Sequence, residues 1–141
     1  MRTTELTKVT KVGVVGCGYW GPNLVRNLRQ SPDCELKLIC DASENRLSHM
    51  RRLHAGVATT SRFEDLLNDA ELEAVVIATP VRFHYEMAEA ALSMGKHVFI
   101  EKPMARTEAE GEQLVALAEQ QGRVLMVGHT FLFSPAVRRM K

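Results

Sequence analysis

The sequence lacks the charge and cysteine patterns that mark several functional classes. Its 18 Lys and Arg residues nearly balance 17 Asp and Glu residues, so the formal net charge is only +1. Such a chain sets up no strong field to attract nucleic acid or anionic lipid, and we predict neither as a partner. The cysteines, Cys17, Cys34 and Cys40, are odd in number and show no CxxC spacing. They disfavour a zinc site and a disulfide framework, so we expect no metal and a reducing, cytoplasmic setting.

Long apolar runs are also missing from the sequence. No run approaches the roughly 18 residues that span a bilayer, and residues 1–11 are polar, without the apolar core of a signal peptide. We therefore expect a chain without membrane contact. The 141 residues are 45% hydrophobic and 25% charged, which is typical of one folded domain and excludes a disordered tail, a collagen-like fibre or a disulfide-framed miniprotein.

Short apolar segments alternate with longer amphipathic ones. We predict strands at Lys11–Val15, Leu36–Cys40, Val57–Thr59, Ala74–Ala78, His97–Ile100 and Val124–Val127. We predict helices at Trp20–Gln30, from the N-cap Ser43 to Gly56, and after a capping box at Ser61–Glu64. A fourth helix carries an apolar stripe of Phe83, Met87, Ala90, Ala91 and Met94, and a fifth runs from the N-cap Thr107 to Gln121. This alternation predicts an α/β fold with a doubly wound parallel sheet, the Rossmann fold, in the classic order 3-2-1-4-5-6.

The segment GCGYWG, residues 16–21, directly follows the first predicted strand and precedes a helix. In that context the pattern is typical of dinucleotide binding. Gly16 permits a tight turn, Gly18 lets a diphosphate approach the backbone, and Gly21 lets the helix pack close to the strand. The N–H groups at the start of the helix then face the phosphates. A plain glycine turn is the alternative interpretation.

Three side chains inside this glycine segment are further candidates. Tyr19 and Trp20 are placed to stack on a cofactor or substrate, although aromatic residues at a helix start more often serve packing or an interface. Cys17 lies near a helix N-terminus, which lowers the pKa of a thiol and allows a redox role. A small, tolerated side chain is the simpler interpretation of Cys17.

Asp41 ends the second predicted strand, roughly 20–25 residues beyond the glycines. A carboxylate there accepts hydrogen bonds from both ribose hydroxyls of an adenosine and repels a 2′-phosphate, so it favours NAD over NADP. Alternatively Asp41 only caps the next helix, although Ser43 is the better-placed cap. Arg46, one turn into that helix, would allow NADP if it reached the phosphate, but we expect a solvated surface charge.

Polar residues also follow the fourth and fifth predicted strands. Thr79 and Pro80 either line the cofactor crevice or form a simple turn. His84, in the first turn of the next helix, lies either near the substrate or on the surface. These alternatives stay open at the level of the sequence.

The tripeptide Glu101-Lys102-Pro103 ends the fifth predicted strand, at the sheet edge where ligands bind. A lysine held near a nicotinamide orients a substrate hydroxyl and eases its deprotonation as hydride leaves. Glu101 is placed to fix or tune that ammonium group, and Pro103 restrains Lys102 to an extended backbone and could be cis. Taken without its position, the tripeptide would be a surface turn.

The sequence resembles the Gfo/Idh/MocA oxidoreductases. The matching segments are Val12–Asn23, Ala78–Pro80 followed by His84, and Gly95–Pro103, which ends in EKP. The resemblance implies a catalytic Lys102 that contacts nicotinamide and substrate, and Glu101 on the nicotinamide ribose side. It further implies cofactor contacts from Gly16, Gly18, Gly21, Asp41, Thr79, Pro80 and His84. The segments GYWGPN and GHTFLFSPAVRRMK look most like members that act on nucleotide-linked or amino sugars.

The residues and the resemblance together predict a function and a domain division. We expect residues 1–128 to form the NAD(P)-binding domain and residues 129–141 to begin the connection to the family's second α/β domain, which is missing here. The chain is expected to bind NAD, with little turnover alone, for an oxidoreductase acting on a sugar or sugar nucleotide, and to form a homo-oligomer. The alternatives are a non-catalytic, redox-sensing dinucleotide module and, more weakly, a methyltransferase that binds S-adenosylmethionine.

Overall fold

The structure is a computed structural model that describes residues 8–140, so what was expected of residues 1–7 and 141 lies outside the described range. The strands are β1 (Thr10–Val15), β2 (Cys34–Cys40), β3 (Ala58–Thr60), β4 (Ala74–Ile77), β5 (His97–Glu101) and β6 (Leu125–Gly128). The helices are α1 (Gly21–Gln30), α2 (Glu44–Leu53), α3 (Phe63–Asn68), α4 (His84–Ser93), α5 (Glu108–Gln121) and α6 (Pro135–Arg139). Short 3₁₀ turns cover Val81–Phe83 and Thr130–Phe133.

All strands belong to one parallel sheet in the order β3-β2-β1-β4-β5-β6, which confirms the predicted doubly wound topology. Helices cover both faces of the sheet, and each face has its own apolar cluster. The central strands are therefore shielded on both sides: Val14 in β1 and Val75 and Ile77 in β4 are fully buried. Within residues 8–140, no helix is long and apolar enough to cross a membrane.

Strand ends shift by one or two residues from the predicted positions. β2 begins at Cys34 rather than Leu36 because its parallel pairing with β1 already starts at Thr10 and Cys34. β3 and β6 each begin one residue later than predicted, at Ala58 and Leu125. The strand ends are set by pairing with the neighbouring strand, and this pairing cannot be deduced from the hydrophobic pattern of a single strand.

Two predicted helix caps are confirmed. The hydroxyl of Ser43 accepts a hydrogen bond from the Arg46 N–H at 3.5 Å, at the start of α2. The hydroxyl of Thr107 accepts one from the Glu110 N–H at 3.2 Å, at the start of α5. At its other end α5 stops at Gly122, whose φ of 60° is the left-handed conformation that glycine adopts readily.

The capping box predicted at Ser61 is wrong. The N-cap of α3 is Arg62, and no side chain caps it. Instead the hydroxyl of Thr60 accepts a hydrogen bond from the Arg62 N–H at 3.1 Å and donates one to Asp65. Thr60, and not Ser61, thus makes the polar contacts at the start of α3. Ser61 lies at the carboxyl edge of the sheet instead.

The predicted apolar stripe of α4 is also wrong. Phe83 and Met94 are 38% and 53% exposed, and the buried residues of the helix are His84, Ala88, Ala91 and Leu92. The inward face thus keeps Ala91 of the predicted stripe, with Met87 partly buried beside the core, but turns away from Phe83 and Met94. A histidine takes an inward position because the backbone around it supplies acceptors for its ring nitrogens.

The turn between β1 and α1 brings three stretches of backbone unusually close together. Gly16 has a φ of 100°, and a Cβ built on it would lie 2.6 Å from the Ala78 carbonyl that follows β4. A Cβ on Gly21 would lie 1.9 Å from the Gly16 carbonyl oxygen. Neither contact leaves room for any side chain.

Two of the cysteines are buried where this turn meets the end of β2. Burial and, to a smaller extent, the nearby Asp41 carboxylate raise the pKa of the Cys17 thiol to about 12. Burial and Asp41 likewise raise the pKa of Cys40 to about 12. The pKa of Cys17 is thus raised rather than lowered, which disfavours the redox alternative and leaves a small, tolerated side chain as the interpretation of Cys17.

We predict that Gly21→Ala destabilises the chain by about 3 kcal/mol, because a methyl group would collide with rigid backbone. Gly18→Ala is the matched control, since a Cβ there would approach only the Arg46 guanidinium, at 3.8 Å. It should change the free energy of unfolding by less than about 0.5 kcal/mol. Urea unfolding of both variants measures the difference, and equal losses of stability would contradict the packing described for the turn.

We predict that Cys17 and Cys40 resist iodoacetamide in the folded chain at pH 8. A thiol whose pKa is about 12 is thiolate in only about one molecule in ten thousand at that pH, and the thiolate is the reactive form. The protection should weaken as the pH rises towards the pKa and disappear in denaturant. Peptide mapping by mass spectrometry measures labelling at each cysteine. Rapid labelling of Cys17 in the folded chain would show that the thiol is not desolvated.

Candidate functional site

A cleft of about 750 Å³ opens at the carboxyl ends of the parallel strands. It lies between the ends of the neighbouring strands β1 and β4. From β1 the chain continues to β2 and β3 on one side of the sheet, and from β4 it continues to β5 and β6 on the other side. Doubly wound sheets bind ligands at the point where the strand order reverses in this way. Of the predicted site residues, the cleft is lined by Gly16, Gly18, Tyr19, Trp20, Asp41, Thr79, Pro80, Glu101 and Lys102. Gly21 and His84 are the predicted site residues that do not line it.

The glycine turn presents unpaired donors to the cleft. Within the described chain, the backbone N–H groups of Gly18, Tyr19 and Trp20 make no hydrogen bond. The N-cap of α1, Trp20, offers no side-chain acceptor, and the first turn of the helix contains no acidic residue. Gly21, behind the turn, allows α1 to start this close to β1. Free N–H groups at the positive end of a helix dipole form a site for an anion such as a diphosphate.

Asp41 is the buried carboxylate of the site, with 6% of its surface exposed. Its Oδ2 accepts a hydrogen bond from the Cys17 N–H at 2.7 Å, and its Oδ1 accepts one from the Ser43 N–H at 2.8 Å. Asp41 therefore both fixes the glycine turn and supports the start of α2. An ionised carboxylate has about four acceptor positions, so it retains capacity for two further donors from a ligand.

Arg46 lies in the cleft beside Asp41, with its Nη1 atom 3.6 Å from the Asp41 Oδ2 atom. Its side chain is nevertheless 56% exposed. Arg46 is thus solvent-exposed, as expected, and it also lines the cleft. Because the pair is open to solvent on the arginine side, the attraction between the two charges contributes little to stability.

Residues after β4 form the wall opposite to β2. Thr79 and Pro80 line the cleft, and the Thr79 hydroxyl donates to the Met87 sulfur at 3.6 Å. Beyond them the Arg82 guanidinium lies 4.5 Å from the centre of the Phe83 ring, a cation–π contact. The sequence left two interpretations open for Thr79 and Pro80, a crevice lining and a simple turn. In the structure they form the turn after β4 and also line the cleft.

Glu101 and Lys102 stand at the end of β5. Glu101 is 9% exposed, and Gly128 of β6 makes room for it, since a Cβ on Gly128 would lie 2.9 Å from the Glu101 Oε1 atom. Lys102 is exposed and precedes a cis peptide bond to Pro103. Lys102 also borders a second hollow of about 310 Å³ that includes His129. The lysine thus stands where two concave surfaces meet.

His84 lies behind the cleft rather than in it. It is 1% exposed, so it is not a surface residue. Its Nδ1 atom lies 2.8 Å from the Pro103 carbonyl oxygen and its Nε2 atom lies 2.7 Å from the Thr79 carbonyl oxygen. Any influence of His84 on a ligand therefore passes through these two loops.

Tyr19 and Trp20 stand at the mouth of the cleft. They are 86% and 47% exposed and contact each other edge to face, with ring centroids 5.4 Å apart. Neither ring packs in the core, so the core alternative does not hold for them. Exposed aromatic rings beside a cleft are available to a ligand or to another protein surface.

Several lining residues were missed by the sequence analysis, and most of them lie at the end of a strand or in the turn that follows it. The missed residues are Val15, Cys40, Ala42, Ser61, Phe63, Ala78, Arg82, Phe83 and Met87, of which Val15 and Cys40 are the last residues of their strands and Phe63 and Met87 belong to α3 and α4. The signal that would have found most of them is the rule that every loop at the carboxyl edge of a parallel sheet contributes to the site. Among residues 8–140 there is no group of three His, Cys, Asp or Glu side chains arranged to hold a metal ion.

Comparisons with known proteins agree with this geometry. An inositol 2-dehydrogenase/D-chiro-inositol 3-dehydrogenase of Lactiplantibacillus plantarum is 32% identical over 136 residues, which are 94% of this chain and 39% of that protein. Biliverdin reductase from Synechocystis, solved with biliverdin and NADP⁺, has a TM-score of 0.86 at 34% identity, over 92% of this chain and 42% of that one. GenD2 from gentamicin A biosynthesis, solved with NAD, has a TM-score of 0.89 at 28% identity, and the match covers 99% of this chain and 40% of that one.

The chain thus spans about two fifths of the length of these proteins. The model of the Gfo/Idh/MocA oxidoreductase family, described as an NAD-binding Rossmann fold, matches residues 10–129. This match covers the sheet and every predicted site residue. The chain therefore belongs to the Gfo/Idh/MocA oxidoreductases and is an NAD(P)-binding Rossmann domain of that family.

Proposed function

We propose that this chain is the cofactor-binding part of an oxidoreductase that transfers a hydride between NAD and a carbinol of a sugar or sugar nucleotide. The observation that carries the proposal is one cleft that combines unpaired N–H groups at the glycine turn, the buried Asp41 and the exposed Lys102. Asp41 follows β2 and Lys102 follows β5, on opposite sides of the turn. A dinucleotide lying across the turn would place adenosine at Asp41 and nicotinamide at Lys102.

Each predicted residue has a proposed role in holding the cofactor. Gly16, Gly18 and Gly21 shape the diphosphate site, and Asp41 accepts hydrogen bonds from the adenosine ribose. The remaining predicted contacts are Tyr19 and Trp20 at the mouth, Thr79 and Pro80 along one wall, and Glu101 and Lys102 at the nicotinamide end. His84 acts from behind the wall.

Lys102 is the proposed catalytic residue. The nicotinamide ring, when bound, accepts or donates the hydride. Lys102 hydrogen-bonds to the substrate oxygen, which orients the carbinol, and its amine takes up the hydroxyl proton as hydride leaves. In the reverse reaction the same group returns that proton to the oxygen. The hollow shared by Lys102 and His129 offers space for that substrate beside the cleft. Glu101, next in sequence, is buried and lines the same end of the cleft.

We further propose that NAD is preferred over NADP. The Asp41 carboxylate is buried and held by two backbone N–H groups, so it cannot easily turn away from a 2′-phosphate, and it would repel that group. Arg46 beside it offsets part of this repulsion. Proteins similar to this chain have been solved with each coenzyme, so the preference rests on these two side chains.

The sugar substrate is proposed from the resemblance of the GYWGPN segment and from the inositol dehydrogenase among the similar proteins. We propose that residues 1–128 form the coenzyme domain and that residues 129–141 lead into a substrate domain. Because the chain spans about two fifths of such proteins, we expect it to bind coenzyme with little or no turnover alone.

We also propose a cytoplasmic homo-oligomer. Phe131, Leu132 and Phe133 are 71%, 56% and 61% exposed, next to the edge strand β6. An apolar cluster beside an open strand edge is stabilised by contact with a further protein surface. Cys17, Cys34 and Cys40 are free thiols, which suits a reducing compartment.

We predict that the chain binds NAD in isothermal titration calorimetry and binds NADP more weakly. Asp41→Ala should weaken NAD by about tenfold or more, the value of a hydrogen bond to a charged group, and weaken NADP less, because the repulsion of the 2′-phosphate disappears. The measured quantity is the ratio of the two dissociation constants.

Glu44→Ala is the control for this titration. Glu44 is a carboxylate in the first turn of α2 that is 70% exposed and paired with Arg51, outside the cleft. Its removal should leave both dissociation constants unchanged. A folded wild-type chain that binds neither coenzyme would reject the proposed function, and an unchanged ratio in Asp41→Ala would reject the role of Asp41.

A further inference from the structure

We propose that His84 is a positioning residue that ties the loop bearing Lys102 to the loop after β4. The inference rests on the proposed function, since the importance of Lys102 depends on it. The His84 ring lies between the carbonyl oxygens of Thr79 and Pro103, at 2.7 and 2.8 Å. These carbonyls belong to residues that follow β4 and β5, so one buried ring joins two adjacent loops at the nicotinamide end of the cleft.

The chemistry of the ring suits a bridge between backbone groups. Both neighbours are carbonyl oxygens, which only accept hydrogen bonds. A neutral imidazole donates to one of them, and a doubly protonated imidazole donates to both. Since His84 is 1% exposed, water does not readily replace either contact, and the separation of the two loops depends on the ring.

The bridge acts on Lys102 through the backbone. Pro103 follows Lys102 directly, so fixing the Pro103 carbonyl fixes the point from which the lysine side chain extends. Lys102 itself is exposed and has a long, flexible side chain, so the position of its backbone decides which part of the cleft its ammonium group reaches.

The adenosine half of the cleft is held independently of His84. Asp41 receives its hydrogen bonds from Cys17 and Ser43, and Gly16 donates to the Cys40 carbonyl oxygen at 2.9 Å. Loss of the bridge should therefore disturb nicotinamide binding without disturbing the binding of adenosine diphosphate ribose. A residue needed only for general stability would affect the two ligands equally.

The test compares His84→Asn, His84→Gln and His84→Leu by calorimetric titration with NAD and with ADP-ribose. An Asn amide can place a donor near the position of Nδ1, towards Pro103, whereas a Gln amide places one near Nε2, towards Thr79. We expect NAD affinity to fall by about tenfold in the Leu and Gln variants and by less than about threefold in the Asn variant. ADP-ribose affinity should stay within about twofold throughout.

A ligand-free measurement completes the test. Hydrogen–deuterium exchange in residues 101–105 should be faster in His84→Gln than in His84→Asn, and if the Leu variant does not fold, this pair of polar variants still decides the question. Equal weakening of NAD and ADP-ribose, or equal exchange and affinity in the Asn and Gln variants, would overturn the bridge. A wild-type chain that binds neither ligand while exchange differs as expected would reject the proposed function but keep the bridge.

Discussion

The close backbone contact at the glycine turn is the constraint on which the rest of the site depends. A Cβ on Gly21 would meet the Gly16 carbonyl oxygen at 1.9 Å, and a Cβ on Gly16 would meet the Ala78 carbonyl at 2.6 Å. Bare backbone is therefore required where β1, α1 and the loop after β4 converge. This convergence aims the unpaired N–H groups at the start of α1 into a cleft between strands, where an anion can approach them without displacing a side chain.

Polar side chains on the two sides of this turn make the cleft asymmetric. On the β2 side, Asp41 is buried and locked by the N–H groups of Cys17 and Ser43 at 2.7 and 2.8 Å. On the β5 side, Lys102 is exposed and its backbone is anchored through Pro103 by a buried histidine. One end thus presents a buried carboxylate held by two backbone N–H groups, and the other an exposed lysine. A dinucleotide bound as proposed, with adenosine at Asp41 and nicotinamide at Lys102, would match these two ends in one direction only.

The fold and nine of the 19 residues that line the cleft could be predicted from the sequence, because both follow from local patterns. Apolar runs of strand length alternate with amphipathic helices, and the glycine spacing marks the turn. The predictions that failed depended on particular hydrogen-bond partners, which hydrophobic patterns do not specify. The N-cap of α3 is Arg62 rather than Ser61, and the Thr60 hydroxyl, one residue before the predicted cap, takes the contacts with the Arg62 N–H and Asp65. His84 is buried because its acceptors are the carbonyls of Thr79, five residues earlier, and Pro103, nineteen residues later. The hydrophobic periodicity of a helix predicts which side chains are apolar, but it does not predict a hydrogen bond from a side chain to the backbone of another loop.

The most direct test of the account is a crystal structure of this chain with NAD. The account predicts diphosphate oxygens within hydrogen-bonding distance of the N–H groups of Gly18–Trp20, ribose hydroxyls of the adenosine on Asp41, and the nicotinamide ring on the side of Lys102. A coenzyme bound outside the cleft, or lying across it in the reverse direction with its nicotinamide at Asp41, would contradict the account.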